Sequence, residues 1–263
     1  MVWITEIGGN IMKGIDISIF QGHIDFKKVK ATGVEVVIIK ATQGTGYTNA
    51  MLAEHYKGAK ANGLKIGFYH YLTKDNPIVQ ARQFLEVTNG LIADCKYIMD
   101  VEGEWTIRQA SEATRSFADY LIHQKKEVAI YTGDYFYRDN LNSTVKDLPV
   151  WIANYSSNIM AKNNIGVQYS ETGTVNGIIG HVDLDTFNAG ILLTPKVAAK
   201  PTLKIGTVTA TTLNVREDAG TGFKVIGQLH KGDKVTIAKA IGPNWYSIYF
   251  GNHGGYVSSE FIK

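Results

Sequence analysis

Two carboxylates stand two residues apart at the end of an apolar run in the stretch CKYIMDVEGEW, residues 95–105. Alternate side chains of a strand point to the same face, so Asp100 and Glu102 share one face with Ile98. Their alpha carbons then lie about 6.6 Å apart. One ionised carboxylate raises the pKa of a close neighbour and keeps it protonated, which suits general acid catalysis. The pattern therefore predicts an acid pair at the C-terminal end of a buried strand.

Glycoside hydrolysis needs such a pair, because the leaving oxygen takes up a proton and the oxocarbenium-like centre needs negative charge nearby. With parallel side chains, Asp100 is poorly placed to attack the carbon whose oxygen Glu102 protonates. Asp100 can instead orient a group of the substrate, such as a 2-acetamido group, which then acts as the nucleophile. An Asp-x-Glu pattern alone occurs in many unrelated chains, so its surroundings have to support this interpretation.

Segments typical of strands alternate with segments typical of helices in the first half of the chain. The predicted strands are GIDIS, VEVVIIKAT, KIGFYHYL, KYIMDVE and VAIYTG. Helical segments are predicted near 48–61, near 77–89 and over about 106–125, the last beginning at a possible cap, Thr106. After residue 148 the strands PVWIANY, IGVQYS and HVDLDTF follow without helices. This order predicts five strand–helix units and three further strands in a parallel sheet, either open or closed into a barrel.

One face of the predicted strands collects polar and aromatic side chains. That face carries Asp16, Ser18, Lys40, Thr42, Asp100, Glu102, Tyr131, Trp151, Ala153 and Tyr155. In a closed barrel these residues point inward, and those at the strand ends meet at the mouth, where the active sites of parallel α/β barrels lie. A single member such as Lys40 or Tyr131 is explained equally well as an ion-pair or packing residue. Several buried carboxylates together cost stability, which favours a functional explanation for the set.

The chain changes character near its C-terminal quarter. Residues 191–205 hold two prolines and little periodicity, and we interpret them as a linker between a domain at 13–190 and a domain at 206–263. The last domain has short alternating runs such as LNVRE, KVTIAKA and WYSIYF, separated by glycine turns. This pattern predicts a small all-β barrel.

Composition argues against several classes of function. Among 263 residues there is no run of 18 apolar side chains, so no membrane insertion is expected. The single Cys95 excludes an intrachain disulfide, and neither a zinc-type Cys/His cluster nor a glycine-rich phosphate loop occurs, so we expect no metal and no cofactor.

The charge and the N-terminus carry two further expectations. Residues 201–263 hold 7 basic and 4 acidic residues and account for the whole net charge of +3. A mildly basic tail suits an anionic surface such as a cell wall, although a solvated face without a partner explains it equally well. No arginine-rich run or basic helix indicates nucleic-acid binding. MVWITEIGGNIMKG lacks the pattern of a secretory signal, and we expect the fold to begin near Met12.

The motifs KGIDIS, VVIIKATQGTGYTN, GFYHYL, MDVE, VWIANY and QYSETGTVNGIIGHVDLDTF occur in this order, and together they resemble glycoside hydrolase family 25. The resemblance covers about residues 13–190 and implies an irregular (β/α)5(β)3 barrel. The tail, with ATTLNVREDAGTGFKVIGQLHKGDKV, WYSIYF and GGYVSSEFI, resembles a bacterial SH3 domain, a small all-β barrel that binds cell walls. The whole architecture is similar to a phage endolysin or a bacterial autolysin.

The resemblance implies a lysozyme, an N-acetylmuramidase that cleaves the β-1,4 bond between N-acetylmuramic acid and N-acetylglucosamine in Gram-positive walls. Glu102 matches the proton donor and Asp100 its partner toward the substrate acetamido group. Asp16 and Asp183 match two further carboxylates, with Asp183 preferred to Asp185 from the motif register. The predicted substrate-binding residues are Tyr69, Tyr131, Trp151, Tyr155, Gln168 and Lys40.

The resemblance also sets the expected partners and place of action. Peptidoglycan strands would bind at the barrel and a wall ligand at the SH3 domain. We expect synthesis in the host cytoplasm without a signal peptide, followed by action on the bacterial cell wall.

Two other functions are alternatives for the same residues. A chitinase-type hydrolase also uses an Asp-x-Glu strand end, but it usually has one more acid two residues upstream, where this chain has Ile98. A non-catalytic wall-binding protein would not need the intact set of four carboxylates.

Overall fold

The computed structural model describes residues 11–156, 159, 161, 164–194, 204–251 and 254–263. This part of the chain forms two compact units, the first of which ends at Thr194. The predicted N-terminal extension before Met12 lies almost entirely outside the described residues, and so do residues 195–203 of the predicted linker. No helix in the described ranges is both long enough and apolar enough to cross a membrane.

The first unit alternates strands with helices and then continues with strands alone. Its strands are β1 (Met12–Ile17), β2 (Val36–Gln43), β3 (Tyr47–Thr48), β4 (Lys65–Tyr71), β5 (Tyr97–Asp100), β6 (Val128–Gly133), β7 (Val150–Ala153), β8 (Asn164–Gly173) and β9 (Val182–Phe187). Its α-helices are α1 (Phe26–Ala31), α2 (Leu52–Ala61), α3 (Pro77–Val87), α4 (Ile107–His123) and α5 (Asp134–Asp139). Apart from the short β3, a hairpin partner of β2, the order is the predicted one of five strand–helix units and three strands.

The sheet of the first unit closes on itself. The order β1-β9-β8-β7-β6-β5-β4-β2 returns to β1, because β1 also pairs with β2. Of these eight strands, β9 runs antiparallel to both of its neighbours, and the other pairings are parallel. The sequence left open whether the sheet is open or closed, and the structure shows that it closes into an irregular barrel.

The two faces of the barrel sheet bury different side chains. Residues on the outer face, such as Ile39, Met99 and Ile130, pack in a large apolar cluster with residues of the helices. The interior holds a smaller cluster of Met12, Val36, Ile38, Cys95, Ile98, Ala129, Trp151, Ile165, Phe187 and Ile191. α4 begins after Thr106, which caps it as predicted, and buries Phe117 and Leu121 toward the large cluster. The predicted alternation along β5 is confirmed.

One residue predicted to point inward points outward. The pairing of β2 with β4 shifts by one residue, so that Lys40 lies opposite Tyr69 but Thr42 opposite His70. Such a bulge reverses the direction of the side chains that follow it. The Thr42 hydroxyl therefore lies 2.7 Å from Nδ1 of His70, whose ring packs against Phe84 of α3. The prediction for Thr42 is wrong, because alternation counts residues and does not detect a bulge.

The Phe187 ring fills the interior next to two glycines. A Cβ atom on Gly14 or on Gly166 would lie 2.3 Å from a ring carbon of Phe187. Only glycine allows the backbones of β1 and β8 to approach this ring so closely. Phe187 also contacts Trp151, with ring centroids 5.3 Å apart, so the interior below the mouth is closely packed.

The second unit is all-β in the residues that the structure describes. Its strands are β10 (Lys204–Thr207), β11 (Thr212–Arg216), β12 (Val225–His230), β13 (Lys234–Ile241), β14 (Trp245–Ile248) and β15 (Gly255–Ser258), all paired antiparallel. They enclose a small core that includes Val215, Val235 and Ile248. Both described ends of the predicted linker belong to folded units, since Leu192 bridges to Cys95 and Lys204 begins β10.

Candidate active site

Four acidic side chains meet at the mouth, the end of the barrel where the parallel strands finish. Asp16 lies near the end of β1, Asp100 ends β5, Glu102 follows two residues later, and Asp183 lies at the start of the antiparallel β9. Asp16 and Asp183 are direct cross-strand partners. Asp100 is acted on electrostatically by Glu102 and by Asp16, so the structure brings all four predicted carboxylates into one cluster.

Burial controls the ionisation of this cluster. Asp16 is 7% exposed and Asp100 is 5% exposed, and burial raises the pKa of both carboxyls well above the usual range. The charge of Asp183 raises the pKa of Asp16 further, and that of Glu102 raises the pKa of Asp100 further. The pKa of Asp183 is raised to about 6, mainly by burial. At mildly acidic pH the cluster therefore retains protons that exposed carboxylates would release.

Glu102 is less buried than its neighbours, and its pKa is raised by burial and lowered by the charge of Lys40. From the sequence we expected the charge of one acid to raise the pKa of the other. In the structure, desolvation is the main cause at both acids, and the repulsion between them adds to it at Asp100. A carboxyl group that keeps its proton closer to neutral pH and still reaches the open mouth can donate that proton to a bound molecule.

Lys40 is the cation that faces the cluster from β2. Its Nζ donates to Oε1 of Gln43 at 2.8 Å and lies 4.9 Å from the ring centroid of Tyr71 and 5.7 Å from that of Tyr69. Its charge lowers the pKa of Asp100 and of Glu102, which partly opposes the effect of burial. Lys40 therefore offsets part of the repulsion among the carboxylates.

Gln168 connects the acids to the aromatic wall. Its Nε2 donates to Oδ2 of Asp16 at 2.8 Å, and its Oε1 accepts from the hydroxyls of Tyr131 at 2.9 Å and Tyr155 at 2.8 Å. The side chain is 3% exposed. Since both ends of the amide are already engaged, Gln168 is better suited to holding Asp16 and the two rings than to direct contact with a substrate.

The predicted aromatic residues differ in how open they are. Trp151 is 1% exposed and lies 4.4 Å from Tyr131 between ring centroids, so it is part of the packed interior. Tyr69 and Tyr131 are half-buried against that interior. Tyr155 is 56% exposed at the rim. Of these four, Tyr155 offers the largest surface to a ligand, and Trp151 can act only through its neighbours.

Asp185 lies one layer below the carboxylates of the mouth. It pairs with Gly14, whereas Asp183 pairs with Asp16. It is 1% exposed, its pKa is raised well above the usual range by burial, and its Oδ1 accepts from Nε1 of Trp151 at 3.1 Å. Asp183 is therefore the acid of the pair that is level with Asp16 and open to the mouth, in agreement with the choice made from the motif register.

Three residues of the site were not singled out from the sequence. Gln43 and Tyr71 contact Lys40, and Glu171 accepts from the Tyr155 hydroxyl at 3.3 Å and raises the pKa of Asp183. Tyr71 follows Tyr69 by two residues on β4, so strand alternation could have found it. Glu171 lies within the stretch of β8 where the pairing with β9 shifts register, between Ser170 and Gly173, and no alternation rule anticipates such a shift.

The arrangement combines a proton donor with an acceptor that has no hydrogen-bond partner. In the described part of the chain, Oδ1 of Asp100 is buried and has no such partner. An N–H group of a bound ligand would satisfy this oxygen, whereas an unsatisfied acceptor costs stability. Among the described residues, no group of three or more His, Cys, Asp and Glu side chains is arranged to hold a metal ion.

Two sequence families match the chain. Glycosyl hydrolases family 25 matches residues 15–178, and the bacterial SH3 domain matches residues 211–263. The first match begins within β1, continues through all five helices and includes Asp16, Asp100 and Glu102, whereas Asp183 lies five residues beyond its end. The second match lies within the all-β unit.

Similarity to individual known proteins supports the match to glycosyl hydrolases family 25. The autolytic lysozyme of Clostridium acetobutylicum is 52% identical over 198 residues, which are 72% of this chain and 60% of that protein. The chain therefore matches less than two thirds of that relative's length. Among solved structures, the CTP1L endolysin has a TM-score of 0.62 at 26% identity, over 68% of this chain and 67% of that one. The bacterial lysozyme from Streptomyces coelicolor has a TM-score of 0.61 at 27% identity, over 70% of this chain and 94% of that one.

Proposed function

The chain belongs to glycosyl hydrolases family 25, and from this membership and the mouth geometry we propose that it is a peptidoglycan hydrolase. Its proposed reaction is that of an N-acetylmuramidase, the cleavage of the β-1,4 bond between N-acetylmuramic acid and N-acetylglucosamine. The observation that carries the proposal is the pairing of Glu102, a proton donor with a raised pKa, with Asp100, a buried acid whose Oδ1 has no partner among the described residues. The lysozymes and the endolysin that the chain resembles support the same reaction class.

Glu102 is the proposed general acid. Its carboxyl group protonates the glycosidic oxygen while the bond from that oxygen to the anomeric carbon breaks. The raised pKa keeps the group protonated at higher pH than an exposed glutamate would be, and its partial exposure leaves it accessible from the mouth. General acid catalysis of this kind contributes roughly 10²–10⁴-fold to the rate.

Asp100 is the proposed partner of the substrate acetamido group. Its free oxygen accepts the acetamido N–H, which turns the acetamido carbonyl oxygen toward the anomeric carbon. That oxygen attacks the anomeric carbon as the bond to the leaving oxygen breaks. A water molecule then attacks the same carbon, which opens the cyclic cation with retained configuration, and its proton passes to the Glu102 carboxylate and restores the acid. The positive charge that develops on the substrate favours the ionised form of Asp100, and Lys40 already lowers its pKa in the same direction.

The second unit is the proposed cell-wall anchor, in the manner of a phage endolysin or autolysin acting on Gram-positive walls. It matches the bacterial SH3 domain, and residues 201–263 hold 7 basic and 4 acidic residues. Binding to the wall raises the local concentration of the barrel at its substrate. A chain ending near Pro195 should therefore hydrolyse soluble glycan fragments normally and lose much of its rate on intact cells. Equal rates of the two chains on intact cells would contradict the anchoring role.

The test of the activity is product analysis with a matched variant. Digestion of purified walls should release reducing ends of N-acetylmuramic acid, identified by mass spectrometry, and the Glu102→Gln variant should lose about 10²–10⁴-fold in rate while still binding. Chitin oligomers serve as the control substrate and should remain intact. NMR of freshly released ends should show retained configuration.

Each other result would change a specific part of the proposal. Reducing ends of N-acetylglucosamine would contradict the bond assignment. Inverted product would replace the acetamido mechanism by a water molecule activated by Asp100 or Asp183. Absence of cleavage by the parent enzyme would indicate a wall-binding protein without activity.

A further inference from the structure

Glu102 lies on a segment without regular secondary structure. β5 ends at Asp100 and α4 begins at Ile107, so residues 101–106 (the acid-bearing segment) carry the proposed proton donor between them. A side chain on such a segment points in a defined direction only if the backbone beneath it is held by other contacts. A general acid has to lie within hydrogen-bonding reach of the atom that it protonates.

Two side chains hold the start of the acid-bearing segment by its carbonyl groups. The Thr132 hydroxyl donates to the carbonyl of Val101 at 2.6 Å, and Nε1 of Trp105 donates to the carbonyl of Glu102 itself at 2.8 Å. The next residue, Gly103, has a φ of 89°, a conformation that other residues rarely adopt. The indole bond therefore fixes the peptide between Glu102 and Gly103, at the point where the chain turns away from the mouth.

Trp105 is itself fixed. Its ring packs against the large apolar cluster, and its carbonyl accepts from Nδ2 of Asn140 at 3.4 Å. The following residue, Thr106, caps α4 through reciprocal bonds with Gln109. The indole N–H thus comes from the residue that directly precedes the capped start of a 17-residue helix.

We propose that Trp105 is a positioning residue, whose indole N–H aims Glu102 into the mouth by holding its carbonyl group. This proposal rests on the proposed role of Glu102 as the general acid. Trp105 lines a surface cavity together with Pro77 and Ala113, and none of the four carboxylates lines that cavity. The contact of Trp105 with the site that carries the proposal is its bond to the Glu102 carbonyl.

The proposal predicts a loss of kcat without a change in KM. When the carbonyl of Glu102 is released, the carboxyl group samples directions that do not reach the leaving oxygen, while the substrate groove keeps its shape. A misplacement of about 1 Å can cost up to about 10²-fold in rate, so a loss of roughly 10- to 100-fold in kcat is expected.

A second consequence concerns the pH profile. The titratable and charged groups that interact with Glu102 come from six strands of the barrel: Asp16 from β1, Lys40 from β2, Tyr69 and Tyr71 from β4, Asp100 from β5, Tyr131 from β6 and Asp183 from β9. None of these changes when Trp105 is replaced. A released Glu102 becomes better hydrated, so its pKa falls toward the ordinary value. Activity that needs the protonated acid should then be lost at lower pH than in the parent enzyme.

The sharpest experiment removes the N–H group and nothing else. Replacement of Trp105 by 3-benzothienylalanine puts sulfur where the indole nitrogen was and keeps the ring, and Trp105→Phe is the genetically encoded second variant. Trp245→Phe, in the second unit, is the matched control. All variants are assayed on soluble peptidoglycan fragments for kcat, KM and pH profile, and their melting temperatures are recorded. Both Trp105 variants should lose kcat and shift the alkaline limb, and the control should not.

A double-variant cycle separates positioning from a merely structural role. In the Glu102→Gln background, Trp105→Phe should have little further effect on kcat, because the group through which it acts is gone. Unchanged kcat in the benzothienyl variant would overturn the proposal. So would additive losses in the double variant, or a lower melting temperature with an unchanged pH profile. Full activity of Glu102→Gln alone would instead remove the proposed function, and this inference with it.

Discussion

The interior of the barrel has two parts. The floor is the apolar interior cluster that includes Ile98, Trp151 and Phe187, the mouth above it holds the acids, and the same strands contribute to both. On β5, Ile98 is fully buried in the floor, and Asp100, two residues later on the same face, is 5% exposed in the mouth. The two side chains are almost equally buried, but that of Ile98 is a hydrocarbon and that of Asp100 ends in a carboxyl group. Burial stabilises the fold at Ile98 and raises the pKa at Asp100, because only the charged group loses favourable hydration.

The difference between floor and mouth shows how the fold remains stable although it buries several carboxyl groups in one site. The floor supplies apolar burial beneath the mouth, with Phe187 and Trp151 filling the space under the acids. The mouth then holds its carboxyls with a few specific partners, such as Gln168 on Asp16 and the charge of Lys40 near Asp100. Changes in the floor should therefore alter stability, and changes in the mouth should alter activity.

Among the variants that compare the floor with the mouth, Asp100→Asn is expected to have the largest effect on activity. The amide has nearly the same shape, so the barrel should keep its fold, and the free energy of unfolding should stay the same or rise because a desolvated acid is removed. The negative charge beside the substrate cation is lost, and activity should fall by about 10²–10³-fold. Wall hydrolysis and urea unfolding, measured on the same preparation, check both parts.

Loss of stability together with activity would break the proposed separation of floor and mouth. It would mean that Asp100 makes a structural contribution that its Oδ1, buried and without a hydrogen-bond partner in the described ranges, does not suggest. Near-normal activity would remove Asp100 from the proposed mechanism.

The division between floor and mouth could largely be predicted from the sequence. Strand alternation places Ile98, Asp100 and Glu102 on one face, and the parallel order of strands places the acids at the mouth. Both arguments work because the side-chain period of a strand and the position of parallel strand ends are local or topological rules.

What the sequence could not predict are contacts fixed by pairing register. Thr42 turns outward at a bulge. The motifs placed Asp16 and Asp183 in the same site, but their direct cross-strand pairing is set by the register of β1 with β9. Gln168 engages both ends of its amide, and Trp105 reaches the Glu102 carbonyl across a turn. Each of these depends on which residues the strand pairing and the turns bring opposite one another, which no periodicity encodes.

The second prediction concerns the pH dependence of stability that a carboxyl group of the mouth, Asp183, should cause. Asp183 has a pKa of about 6 in the folded chain, against an ordinary value of 3.8. The folded state therefore holds a proton that the unfolded chain releases, so its contribution to stability is full below about pH 4 and is lost as the pH rises through about 6. Because Asp183 is partly exposed and coupled to Asp16, we expect about 1 kcal/mol from it, less than the full shift implies.

The measurement is urea unfolding of the parent and of Asp183→Asn at several pH values between 4 and 7. The parent should lose stability across this range more steeply than the variant, since the variant has no proton to lose at this position. Comparison of the two chains cancels the contribution of the second unit, which is the same in both. Parallel stability curves would show that the mouth carboxyls do not couple folding to pH in this way.

The smallest effect on activity is expected in the floor, from Ile98→Val. Ile98 is 0% exposed and lies one layer below Asp100, so removal of one methylene group should cost about 0.5–1.5 kcal/mol of stability. The space left is apolar and too small for a water molecule, which also needs polar partners, so the mouth above it should stay dry. The pH profile and kcat should therefore match those of the parent. Ile130→Val, at a fully buried position of the outer face on the neighbouring β6, is the matched control and should cost a similar amount. If Ile98→Val alone moved the pH profile, water would be reaching Asp100 through the floor, and the dryness of the mouth would depend on packing below it as well as on the acids' own neighbours.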